Sequence, residues 1–302
     1  AYAYYPFTHH PVGGDVHLKP SYQNTSSTNG FEQPAGNHGY MALIHETLHG
    51  LGLKHPHEGT ALPTVEDNTA NTVMSYRFTG NSSGTAMAYD IGALQYLYGT
   101  KAKETGDTSY QFTTRVDQFS VNSVLSINTP NLTKQTIWDT GGSDTLDFSN
   151  LGFESLGYRF DMNEGGWLTA NRAYRFQQNI SDPNVTGGTI QSTYYNFGTS
   201  IAYDVTLENL VNSSSSDTIY ANEAANLFRG YTTGRSVGAD VLWNTSSSDT
   251  LDLSAYSFNA VTRTQNGNDL VLGLGSNGSV TVKNYYTGPQ LNILYSGVLL
   301  PT

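Results

Sequence analysis

The chain contains no cysteine, so disulfide staples, thiolate metal ligands and thiol nucleophiles are all excluded. Charge is sparse: 13% of the 302 residues are Asp, Glu, Lys or Arg, with a net −11. Such a chain is not built to neutralise phosphates, so neither nucleic acid nor an anionic membrane is expected as a partner. No run of eighteen apolar residues occurs, which leaves no expected membrane-spanning helix. The chain shows no signal peptide and opens on Ala1 rather than Met, and its start reads as a product of processing or truncation.

Glycine (31), tyrosine (21) and runs of Ser, Thr and Asn are plentiful. Aromatic and β-branched residues suit strands, and Gly and Asn suit tight turns, so many short strands are expected. The length suggests two domains. All eight histidines fall within the first 57 residues. Residues 1–100 read as a mixed segment, with short strands at 1–5 and 15–18 and helices at 40–53 and 89–97. From residue 101 to 302 the pattern becomes short alternating strands. A worn nine-residue rhythm runs through this part: Asp240-Val-Leu242 and Asp249-Thr-Leu251, and Asp217-Thr-Ile219 and Asn226-Leu-Phe228. It resembles the glycine-rich repeat whose turns bind Ca²⁺ and whose apolar residue fills the core. Ser and Asn stand where glycine belongs, so fewer calcium ions are expected between Asp217 and Asp249 than a full repeat would hold.

The densest chemical signal is His45-Glu-Thr-Leu-His49-Gly-Leu-Gly52-Leu-Lys-His55. On a helix His45 and His49 project from one face and can share a Zn²⁺. A straight helix cannot deliver a third ligand, and Gly52 supplies the bend that returns His55. Three nitrogens leave a position for water, the pattern of a catalytic site. Glu46 beside them is placed to act as general base on that water and then as proton donor to the leaving amine. Downstream, Asn71-Thr-Val-Met74-Ser-Tyr76 completes a metzincin-type signature with its Met-turn.

Together these stretches resemble the serralysins, secreted zinc metalloproteases with a calcium-binding C-terminal domain. The resemblance implies an α+β fold: a partial metzincin-like catalytic portion at 1–100, then an all-β roll or sandwich at 101–302. It implies Met74 as a floor under the imidazoles, and Tyr76 as a further zinc ligand that swings to the developing oxyanion. It implies that Ala1, Tyr2, Ala3 and Tyr4 form the edge strand that holds an extended peptide. Calcium ligands fall by resemblance on Glu104, Gly106 and Thr108, on Asp139, Gly141, Gly142 and Asp144, and on Thr206 and Glu208. The family's catalytic domain has a helix and strands ahead of its edge strand, so this chain is expected to act on protein or peptide substrates with a missing N-terminal segment or a proteinaceous inhibitor as a further partner. Export from a Gram-negative cell by a type I route is the implied localisation. The rival readings are an inactive or truncated zinc module on a calcium-stabilised scaffold that serves as an interaction protein, and a matrixin-like enzyme without a calcium roll. His9, His10, His38 and His57 read as loop residues.

Overall fold

A computed structural model of the chain describes residues 1–7, 9–181, 189–296 and 298–300. The fold is mixed and mostly β, with two α-helices among the described residues. It divides into two compact units: residues 1–101 with 127–137 and 173–203, and residues 102–126 with 138–172 and 204–302.

In the first unit, β1 (Tyr2–Ala3) pairs antiparallel with β2 (Val16–His17). Helix α1 (His38–Gly50) carries the zinc-type motif, and helix α2 (Ala88–Tyr98) lies beyond the Met-turn segment. His38, read as a loop residue from sequence, is instead the first residue of α1. A parallel pair, Lys134–Ile137 with Gly198–Ile201, and an antiparallel hairpin, Tyr174–Ser181 with Thr189–Tyr195, complete this unit.

Lys134 is fully buried there. Its Nζ donates to the Thr79 carbonyl at 2.6 Å and to Thr69 Oγ1 at 3.2 Å. Burial lowers its pKa to about 7, because a low-dielectric site disfavours the ammonium. The folded chain therefore binds fewer protons at this site than the unfolded chain above pH 7, and its stability rises with pH from there. Free energies of urea unfolding between pH 7 and 10 are expected to rise with a contribution approaching ~1.4 kcal/mol per pH unit from this group. The slope should be lost in Lys134→Met.

The second unit winds between two sheets. Asn209–Val211, Leu227–Arg229 and Thr250–Leu253 lie parallel in one, and Thr218–Tyr220 and Gly238–Trp243 lie parallel in the other. Successive strands of this run thus alternate between sheets. Leu210, Ile219 and Phe228, nine residues apart, are all fully buried, as are Leu242 and Leu251. The rhythm legible in the sequence is the period at which the chain returns an apolar side chain to the core.

Candidate metal centre

The geometry of the motif starts with how α1 ends. Gly52 has φ +98°, its N–H donates to the His49 carbonyl at 2.9 Å, and the Leu53 N–H donates to the Leu48 carbonyl at 3.0 Å. This paired 6→1 and 5→2 closure is a Schellman ending, which needs a residue in the left-handed region. It turns the chain back so that His55 faces α1. The ring centroids then lie 4.7 Å apart for His45 and His49, 4.5 Å for His49 and His55, and 5.3 Å for His45 and His55. Each ring offers a nitrogen, and these atoms lie within 4.8 Å of one another.

What orients the rings is on the other nitrogen. His45 Nδ1 donates to the Val73 carbonyl at 2.8 Å, and His49 Nδ1 donates to the Leu53 carbonyl at 2.7 Å. His55 Nδ1 faces Glu58 Oε1 at 3.0 Å. A carbonyl only accepts, so these bonds set the tautomer. With the rings neutral, every Nε2 carries a bare lone pair, and those of His49 and His55 stand 3.0 Å apart. Two lone pairs at that separation repel unless a cation lies between them. Nitrogens around one zinc at about 2.0–2.1 Å stand little farther apart than this, so the donor set fits Zn²⁺. Burial lowers the pKa of His45 to about 4, aided by its two neighbouring imidazoles, which keeps it in the metal-binding form.

Sequence reasoning missed three supports. Glu58, three residues past His55, carries no motif label; its carboxyl is held below the usual range first by its hydrogen bond with His55. Tyr5 packs edge-on against His49 at 5.5 Å and donates to Glu58 Oε2 at 3.4 Å. His57 is exposed in a turn as its loop reading implies, yet its ring stacks on His55 at 5.4 Å. Outer-shell carboxylates of this kind raise ligand basicity. Glu58→Ala is expected to weaken zinc affinity by about 10–100-fold, measured by competition with a chromophoric chelator. Glu58→Gln, which keeps a hydrogen-bond acceptor, should lose less.

Tyr76 stands over the cluster, its ring 4.3 Å from His55 and 5.9 Å from His45. Burial first, then the carboxylates of Glu46 and Glu58, push its pKa up, so it is a phenol with a proton to donate. Met74 is buried at 1% exposure. Ala1, His45, Glu46 and Tyr76 all line a cavity of about 440 Å³ with apolar walls from Phe31, Met41 and Phe78. Tyr2 and Ala3 form β1, and Tyr4 exchanges backbone bonds with Asp15 and Gly14. Among the described residues β1 pairs only with β2.

The residues singled out for calcium all lie in the second unit. Asp144 Oδ1 accepts from the Thr108 N–H at 2.9 Å, while its Oδ2 is buried with no partner. Burial, then the nearby Asp139, Glu208 and Asp107, raise its pKa to about 6, because a low-dielectric site and like charges both disfavour the carboxylate. Glu208 Oε2 accepts from the Asp144 N–H at 2.7 Å, Asp139 Oδ1 accepts from the Gly141 N–H at 2.9 Å, and Thr108 Oγ1 donates to the Gly106 carbonyl at 2.8 Å. A Cβ on Gly142 would sit 2.5 Å from the Gly106 carbonyl oxygen, so the two loops meet closely only because position 142 is glycine. Glu104 holds a left-handed backbone, φ 49°, and Thr206 is exposed. Hard oxygens around an orphaned carboxylate suit Ca²⁺, with backbone carbonyls completing the shell. Among the described residues, the only acidic or histidine groups of three with ligand atoms this close are the two that contain His55.

No family model matches the chain. It is 32% identical over 209 residues to Serralysin of Proteus mirabilis, a match covering 63% of this chain and 37% of that protein. It is 31% identical over 236 residues to Serralysin B of Dickeya chrysanthemi (72% and 42%) and 31% identical over 254 residues to Metalloprotease AprA of Pseudomonas entomophila (76% and 46%). The chain thus spans less than half the length of these relatives.

Proposed function

The chain is a homologue of the serralysin metalloproteases, and from that premise we propose that it is a zinc-dependent endopeptidase stabilised by calcium. The observation that carries this reading is the convergence of His45, His49 and His55 with their Nε2 lone pairs turned to one another, and Glu46 lining the same cavity as His45. Residues 1–100 would be the metzincin-like catalytic portion and 101–302 a calcium-binding β-roll/β-sandwich domain. Zinc, when bound, supplies a water made acidic enough to lose its proton near neutral pH and a positive charge at the scissile carbonyl.

The chain's own groups do the rest. Glu46 accepts the proton of the attacking water and delivers it to the amine as the peptide bond breaks, so no covalent acyl-enzyme forms. Tyr76 donates its phenolic hydrogen to the oxygen on which charge develops, the task of an oxyanion-stabilising donor. An extended peptide adds along the edge formed by Ala1, Tyr2, Ala3 and Tyr4, with main-chain bonds from backbone groups other than those of Tyr4, which Asp15 and Gly14 already take. Met74 packs as an apolar floor, and Gly52 holds the turn that brings in His55. Calcium would be held by Asp139, Asp144 and Glu208 with the carbonyls of Glu104, Gly106, Gly141 and Gly142, and by Thr108 and Thr206. Ordering of the loops around Asp139, Asp144 and Glu208 that waits for calcium suits a protein that acts outside the cell, where the ion is plentiful.

The test is digestion of casein by the chain after metal removal and after zinc is restored. Hydrolysis that vanishes on chelation and returns with zinc supports the enzyme. No hydrolysis by the zinc-loaded chain would leave the alternative, a zinc module on a β scaffold acting as an interaction protein.

A further inference from the structure

In the second unit the turns of the nine-residue repeat are already filled by protein donors. The strands Asn209–Val211 and Leu227–Arg229 run side by side, and the Asn212 N–H donates to the Arg229 carbonyl at 3.0 Å. The two turns that follow, 212–217 and 230–237, therefore start next to each other. Between them lies a guanidinium. Arg235 Nη1 donates to the Gly230 carbonyl at 2.7 Å and to Asn212 Oδ1 at 3.0 Å, and Nη2 donates to the Asn212 carbonyl at 2.8 Å. One cation thus binds carbonyl oxygens of both turns, the task of a Ca²⁺ held between turns of a full repeat.

Both oxygens of each carboxyl in these turns already accept a hydrogen bond. Asp217 Oδ1 and Oδ2 accept from Ser213 Oγ and the Ser213 N–H at 2.9 and 3.1 Å. Asp240 Oδ1 and Oδ2 accept from the Asp217 N–H and Asn212 Nδ2 at 2.8 and 3.0 Å. The turn after Tyr220 follows the same rule with amides. Asn222 Nδ2 donates to the Leu207 and Met162 carbonyls at 2.9 and 3.1 Å, and Asn226 Nδ2 donates to the Glu208 carbonyl at 3.2 Å. The contrast is Asp144, which keeps a buried oxygen with no partner at all.

We infer that the turns 212–217 and 230–237 do not bind calcium, because Arg235 serves as their resident cation, and that the amides of Asn222 and Asn226 do the same work in the turn after Tyr220. The Ser and Asn side chains that replaced glycine are the reason this works. Ser213 and Asn212 supply donors to carboxyls that a glycine turn would leave for a metal, and Arg235 places a fixed charge between the two turns, while burial pushes both carboxyls up, Asp240 further because Asp217 is beside it. This part of the fold is then formed whether or not calcium is present. That conclusion rests on hydrogen bonds in the second unit alone and stands apart from the peptidase reading.

The test counts calcium bound to the full chain after chelation and refilling, by elemental analysis and titration calorimetry. Asp217→Asn is expected to bind the same number of ions as wild type, and Arg235→Gln to lower the unfolding midpoint in chelator by about 5 °C or more. An Asp217→Asn chain that binds fewer ions, or an Arg235→Gln chain as stable as wild type in chelator, would overturn the inference. If Arg235→Gln does not fold, crystals of the wild type soaked in calcium decide. Calcium on the Asn212 or Gly230 carbonyl oxygen sinks the idea, and a guanidinium there with no ion upholds it. A change in ion count confined to Asp144→Asn concerns the proposed calcium group at Asp139 and Glu208, not this inference.

Discussion

Glu46→Ala is expected to lower kcat/KM for a casein-derived peptide by about 10²–10⁴-fold while leaving one zinc per chain. The two halves of that result come from different atoms. Zinc would be held by imidazole nitrogens whose orientation depends on Val73, Leu53 and Glu58, and residue 46 is not one of these partners. Proton transfer needs a group that is ionised near neutral pH and within reach of both water and amine, and an alanine methyl offers neither. Glu46→Gln should lose nearly as much, since the amide keeps the volume and a hydrogen bond but cannot carry the proton. Zinc content read by elemental analysis, beside single-turnover peptide cleavage, separates a lost base from a lost metal. A variant that retains zinc and cleaves within tenfold of wild type removes Glu46 from its role.

The largest stability effect is expected at Asp90, far in sequence from the histidines. This residue is 1% exposed in α2. Its carboxylate accepts from the hydroxyl of Thr72, from the Val73 N–H at 2.9 Å and from the Met87 N–H at 2.8 Å. One side chain therefore closes the start of α2 and pins the segment that carries Met74 and Tyr76. Asp90→Ala strands two backbone N–H groups in the interior, at ~1–3 kcal/mol each, so a loss of about 3–5 kcal/mol is expected in urea unfolding. Zinc affinity should fall with it, because Val73 also offers the carbonyl that orients His45. Asp90→Asn, with one carbonyl oxygen left, should lie between the two. Full stability in Asp90→Ala would show that the segment is held by packing alone.

Different physics explains what was and was not legible before the structure. The motif from His45 to His55 is local: helical spacing, a glycine at the bend and a third histidine fit within eleven positions. The helix expected at 40–53 is found at His38–Gly50, followed by the turn at Gly52. The nine-residue rhythm was equally legible, since the same short stretch of chain returns to the core at each period. Glu58 and Asp90 were not. Carboxylates are common, and nothing in their neighbours says that one will meet a histidine ring and the other, besides the nearby Met87 amide, the distant Val73 amide. Arg235 was the least visible, because its partners at Asn212 and Gly230 become neighbours only when parallel strands stack two turns.

The sequence by itself therefore determined which three histidines converge, which carboxylate follows the first of them and the repeat period, because each is a spacing along one chain and backbone geometry converts spacing into direction. The tertiary structure alone decided which nitrogen of each histidine faces the centre, what anchors the Met-turn segment, and which side chains bond across the turns of the repeat. Those outcomes depend on hydrogen-bond partners brought together by folding, and a buried polar group takes whichever partner the packing delivers.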